Sequence, residues 1–140
     1  MPSINFFEEQ VKFKLQHPRK TSHWIRAALK KEKKKLVELN IIFCSDEYLR
    51  EINTQYLNHS TYTDIVTFDT GDGFGGIEGD IYISIDRVRE NAVKYLSEFD
   101  DELHRVIIHG VLHLSGYSDK SNREKAAMRK REDAYLSLRN

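Results

Sequence analysis

Residues 101–119 read Asp-Glu-Leu-His-Arg-Val-Ile-Ile-His-Gly-Val-Leu-His-Leu-Ser-Gly-Tyr-Ser-Asp, and the fold turns on this stretch. Leu103, Val106, Ile107, Val111 and Leu114 recur at the three-and-four spacing of a helix, while Ile108 and Leu112 carry apolar character onto its other sides. Asp100, Asp101 and Glu102 place negative charge in the first turn, where the helix dipole favours it. A helix this apolar belongs at the centre of a domain. Arg105, His109 and His113 nevertheless follow at steps of four, on one line along it. Polar groups on a buried helix must be satisfied by a ligand, a metal or a hydrogen-bond network.

The spacing favours a metal. His109 and His113 put two imidazoles on one face, within reach of a single ion. Gly116 can end the helix in a left-handed conformation, and the turn Gly116-Tyr117-Ser118 can return Asp119 toward the histidines. The pattern H-x-x-x-H-x-x-G-x-x-D has the spacing of the long zincin signature, and three protein ligands plus an open position define a catalytic zinc site. In the competing reading both histidines are core residues bonded to backbone carbonyls, and Asp119 or Ser121 caps the following helix. Peptidases with this signature carry a general-base glutamate directly after the first histidine, a position held here by Gly110. A metalloprotease is therefore the weaker hydrolase reading. A structural metal would need a fourth Cys or His, and none lies nearby in sequence, so an open zinc site is expected.

Working outward, residues 3–7 and 11–15 read as short extended segments. Pro18 punctuates, Thr21 or Ser22 caps a helix running to about residue 35, and its basic tail suits a helix C-terminus. Leu36 to Cys44 reads as a strand, about 46–56 as a short helix behind a Ser45-Asp46 cap, 57–63 as a polar loop and Ile65 to Asp69 as a strand. The glycine cluster Gly71-Asp72-Gly73-Phe74-Gly75-Gly76 joins two strands rather than a strand and a helix, so it is a hairpin turn and not a phosphate loop. Ile81 to Ile85 is the returning strand. Helices follow at about 86–97, 101–115 and 121–138.

The 140 residues fit one domain, 1–140, with strands early and helices late, an α+β order. Lys plus Arg and Asp plus Glu each total 22, so no global charge attracts a nucleic acid; any such contact must be local. With 39% hydrophobic and 31% charged residues the composition is that of a soluble globular protein, with no apolar run of membrane-spanning length. The lone Cys44 lies in an apolar run and reads as a core thiol, and a reducing, cytoplasmic location is expected.

His109-Gly110-Val111-Leu112-His113-Leu114-Ser115-Gly116-Tyr117 resembles the H-G-x-L-H-L-x-G-Y-D-H motif of the YbeY family of bacterial endoribonucleases. Ile52-Asn53-Thr54-Gln55-Tyr56, Thr63 to Phe68 and Gly79-Asp80-Ile81-Tyr82-Ile83-Ser84 resemble further family segments, and the likeness spans about 37–135. It implies a small mixed sheet of about four strands packed with about five helices, the histidine helix central and metal-binding. It also implies a metal-dependent, single-strand-specific endoribonuclease acting in ribosomal RNA maturation, including 16S 3′-end processing, and in ribosome quality control. One zinc ion, a single-stranded rRNA precursor and the ribosomal subunit are the implied cofactor and partners.

Two positions depart from the family. Asp119 stands where a histidine is usual, and Leu57 where an arginine serves the phosphate. A carboxylate is a competent zinc ligand but weakens Lewis acidity. Arg105 is the candidate phosphate contact, with a buried salt bridge as its rival role, and His59 is a lesser acid–base candidate. Lys30–Lys35, Lys125, Arg129, Lys130 and Arg131 are possible outer contacts or merely solvated charge. An RNA-associated factor whose metal is structural is the remaining alternative.

Overall fold

In the computed structural model, which describes residues 1–57 and 63–139, four strands form one mixed sheet in the order β1-β2-β4-β3. Strands β1 (Ser3–Glu9), β2 (Lys35–Cys44) and β4 (Gly76–Ser84) run parallel, and β3 (Ile65–Asp69) closes the edge antiparallel to β4. The register places Phe6 beside Ile41, Ile41 beside Ile81 and Phe43 beside Ile83, so the period-two alternation of each strand builds one apolar face. Helices α1 (Pro18–Lys31), α3 (Ile85–Lys94), α4 (Phe99–Leu114) and α5 (Asn122–Ser137) supply the rest of the main core. Helix α2 (Asp46–Leu57) packs Leu49 with Cys44 and Val66 in a second cluster. The architecture is α+β, with four strands and five helices among the described residues.

The strongly periodic segments lie where their patterns place them: β3 spans Ile65–Asp69, and the glycine-rich turn joins antiparallel strands, as a hairpin requires. Helix α4 is the most apolar, with Leu103, Ile107, Ile108, Val111 and Leu112 essentially sealed from solvent. The expected strand at 11–15 is absent. Gln10 adopts φ 55°, breaking away from β1, and the segment instead lays Phe13 edge-on against Phe43 and Phe99 and buries Leu15. The expected Thr21 or Ser22 cap is also corrected. Helix α1 begins at Pro18, behind a left-handed His17 that makes no side-chain cap, because proline's fixed φ and missing N–H suit the first turn. Thr21 is buried inside the helix. The helix ends at Lys31, four residues before the expected limit, because Lys33 turns left-handed at φ 58° and Lys34 N–H bonds back to the Leu29 carbonyl.

Strand β4 begins at Gly76, well ahead of Ile81. A Cβ on Gly79 would lie 2.5 Å from the Phe68 carbonyl oxygen, so the ladder there admits only glycine, a residue that disguises a strand in sequence. Cys44 is fully buried, and burial pushes its thiol up to about 12, as fits a packed core residue. No helix among the described residues is long and apolar enough to cross a membrane.

Candidate active site

Helix α4 crosses the sheet at Gly110. A Cβ there would meet Ile65 Cδ1 at 2.9 Å and Ile81 Cδ1 at 3.0 Å, so the helix backbone lies closer to β3 and β4 than a side chain allows. At the position that a peptidase would fill with glutamate, even a Cβ would press on the Ile65 and Ile81 side chains. This close approach seats His109, the preceding residue, at the wall of a cleft.

Both nitrogens of His109 are engaged. Its Nδ1 lies 2.7 Å from Glu132 Oε2, and its Nε2 lies 3.2 Å from Asp119 Oδ2. Glu132 is buried on α5, and its other oxygen accepts from Arg105 at 2.9 Å; the second amino group of Arg105 reaches Asp133 at 2.5 Å. Hydrogen bonding to the Glu132 carboxylate raises the His109 pKa, outweighing the burial that would lower it. Arg105 therefore takes the ion-pair role that the sequence left as its rival reading, while still lining the cleft.

The turn carrying Asp119 is built as the sequence suggests. Gly116 has φ 110°, a conformation strained for any residue with a Cβ, and the chain reverses there. Tyr117 then donates its hydroxyl to Glu32 at 2.6 Å, Tyr135 donates to the same carboxylate, and the Arg131 guanidinium lies 4.1 Å from the centre of the Tyr117 ring. The end of α1 thus anchors the turn from the far side of the chain. Asp119 does not cap α5. Ser121 does, in a reciprocal capping box with Glu124. The Asp119 carboxylate is left to face His109.

His113 is exposed and lines the same cleft of about 590 Å³, together with Asp64, Glu102, Lys125, Arg129 and Tyr95. Burial raises the carboxyl pKa values of Asp64 and Glu102. Two imidazoles and a carboxylate are the donor chemistry of a divalent ion such as zinc. Glu132 also holds the second ring nitrogen of His109, as the supporting carboxylate of a metal-bound histidine does. Among the described residues no group of three such side chains is gathered tightly enough to enclose an ion. The His109–Asp119 pair is in place, and the exposed His113 lines the same cleft.

His59 lies outside the described residues. Leu57, at the end of α2, is 42% exposed and carries no charge for a phosphate. Glu132, Asp64 and Glu102 were missed by the sequence reading. A signal for Glu132 was present: Met128, Glu132 and Tyr135 fall on one buried stripe of α5, and an acid on an apolar stripe demands a partner.

The fold is thus an α+β domain with a histidine–carboxylate cleft lined by α4 and α5. The family model described as endoribonuclease YbeY matches residues 3–140. The endoribonuclease YbeY of Cytophaga hutchinsonii is 53% identical over 98% of this chain and 96% of its own length. That of Christiangramia forsetii is 47% identical over 96% and 93%. A solution structure of a Thermotoga maritima protein superposes with a TM-score of 0.67 at 27% identity, covering 96% of this chain and 87% of that one. The chain belongs to the YbeY endoribonuclease family.

Proposed function

We propose that the chain is a metal-dependent endoribonuclease that cuts single-stranded RNA, acting in the cytoplasm on ribosomal RNA precursors, 16S 3′ ends included, and in ribosome quality control. Family membership supports RNA as substrate. The observation that carries metal dependence is the donor set of the cleft. His109, with the Asp119 carboxylate 3.2 Å from its Nε2, and His113 line one wall of it, and two imidazoles and a carboxylate are the ligand chemistry of a divalent ion. His109, His113 and Asp119 would hold that ion, zinc by their chemistry, and it would place concentrated positive charge beside the scissile phosphate.

The protein's own groups divide the remaining tasks. Glu132 fixes the His109 ring so that Nε2 faces the cleft. Arg105 holds Glu132 in turn, and so acts as a positioning residue more than as a phosphate clamp. Lys125 and Arg129, exposed on α5 at the cleft wall, are placed to meet the RNA backbone. A peptidase reading has no support, since Gly110 supplies no base. Metal analysis of the purified protein, with cleavage of a single-stranded RNA before chelation, after it and after zinc is restored, tests the proposal. Activity should vanish on chelation and return with zinc, and His109→Ala and His113→Ala should each lose most of the bound metal. Chelator-resistant cleavage by metal-free protein would refute metal dependence. Tight metal binding without RNA cleavage would favour a structural metal in an RNA-associated factor.

A further inference from the structure

We propose that Tyr95, in the turn after α3, forms with Arg129 of α5 a subsite for one unpaired nucleotide of the RNA, flanking the histidine cleft; this rests on the RNA reading above. Beside the cleft lies a second hollow of about 440 Å³, and Tyr95, Glu102, Arg105 and Arg129 line both. A strand leaving the histidines enters the second hollow past these shared side chains.

The turn is built against ordinary folding preference. Helix α3 ends with Ser97 N–H bonded to the Ala92 carbonyl at 2.9 Å and Leu96 N–H to that of Val93 at 3.2 Å, the closure in which glycine normally takes the left-handed position. Here that position is Leu96, at φ 55°, with a side chain 95% exposed. Its backbone conformation costs on the order of 1 kcal/mol, and no burial of its side chain offsets that. Tyr95 beside it is 58% exposed. The turn thus holds the Tyr95 ring at the lip of the cleft, with the Lys94 ammonium 5.5 Å from its centre, while Leu96 lines neither hollow.

The chemistry selects a nucleobase. Single-stranded nucleic acid is held by aromatic rings that stack on bases and by cations that follow the phosphates. Tyr95 is the aromatic residue lining the two hollows among the described residues. Arg129 is exposed and enters no ion pair among the described residues, whereas Arg105 is committed to Glu132 and Asp133. A base on Tyr95, with its phosphate at Arg129, uses both.

The test is stopped-flow binding of short single-stranded RNAs to zinc-loaded protein before turnover, with 2-aminopurine placed at each position in turn. One position should be quenched on binding. Tyr95→Ala should abolish that quenching and weaken binding by roughly 5- to 150-fold, the range for losing one base–aromatic stack, while Tyr95→Phe should keep both. Arg129→Ala should lower the slope of affinity against salt by about one. If Tyr95→Ala binds as tightly as wild type with the same quenched position, the subsite is refuted and the nuclease reading stands. If wild-type protein neither binds nor cuts single-stranded RNA, both readings fall.

Discussion

Two histidines on α4, His104 and His109, sit little more than one turn apart and have opposite environments. His104 is buried in a closed pocket. Its Nδ1–H donates to the Asp100 carbonyl at 2.7 Å, its Nε2 accepts from the Thr21 hydroxyl at 3.3 Å, and Trp24 packs edge-on against the ring at 5.5 Å. Both ring nitrogens are bonded to uncharged groups; the Asp100 carboxylate lies 3.5 Å from Nδ1, but burial outweighs it and lowers the pKa. His109 faces carboxylates on both sides, and hydrogen bonding to Glu132 raises its pKa. The residue type is the same and the helix is the same. What separates a core histidine from a candidate ligand is the charge and openness of what surrounds the second nitrogen.

The sharpest way to break this contrast is Glu132→Ala. It strips His109 Nδ1 of its acceptor and leaves Arg105 with Asp133 alone. Removing one partner of a buried ion pair costs about 3–5 kcal/mol, and the partial exposure of Arg105 puts the expectation at the lower end, about 3 kcal/mol. Zinc affinity should fall 10- to 100-fold, as when an orienting carboxylate is lost. Denaturant melts and a zinc titration measure the two effects. A variant with wild-type zinc affinity would show that Glu132 serves the fold alone.

A smaller, crossed pair sharpens it. Thr21→Val leaves His104 Nε2 buried without a partner and should cost about 1–3 kcal/mol while leaving zinc affinity unchanged. Asp119→Ala should do the reverse: at least about a 10-fold loss of zinc affinity, and little stability, because Ser121 and not Asp119 caps α5. Equal stability losses from the two variants, with zinc affinity intact in both, would erase the distinction between the closed and open ends of the helix.

Which features the sequence disclosed follows from their range. Helix α4, strand β3, the hairpin at Gly71–Gly76 and the Gly116 turn depend on neighbours within a few residues, and each was legible. The approach of Asp119 to His109 was legible for the same reason, since one glycine turn separates them. Glu132 was not, because its partners Arg105 and His109 lie 27 and 23 residues away, on another helix. The start of α1 was misread because Thr21, a good cap by type, is used instead to satisfy a histidine 83 residues along the chain. The start of β4 was hidden by glycines that packing demands and alternation cannot register.

The smallest effect is also the one in which the two histidines part by sign. In metal-free protein, burial holds the folded-state pKa of His104 below the ordinary 6.5. The stability it contributes is present above about pH 6.5 and is lost as pH falls through the lowered value, because the unfolded chain takes up the proton first. For His109 the folded-state pKa lies above 6.5. Its contribution is full below about pH 6.5 and is lost as pH rises through the raised value, since the folded state then surrenders a proton held by Glu132. A histidine-ring NMR titration of the chelated protein should therefore place His104 on the acid side of 6.5 and His109 on the alkaline side. Glu132→Gln, which keeps the shape and removes the charge, should bring His109 back toward 6.5 and leave His104 where it was. Zinc needs a neutral imidazole, so its affinity should fall off with acidity from a higher pH in wild type than in Glu132→Gln. If His109 titrates below 6.5 in the wild-type protein, the carboxylates around it do not govern its charge, and the asymmetry along α4 reduces to exposure alone.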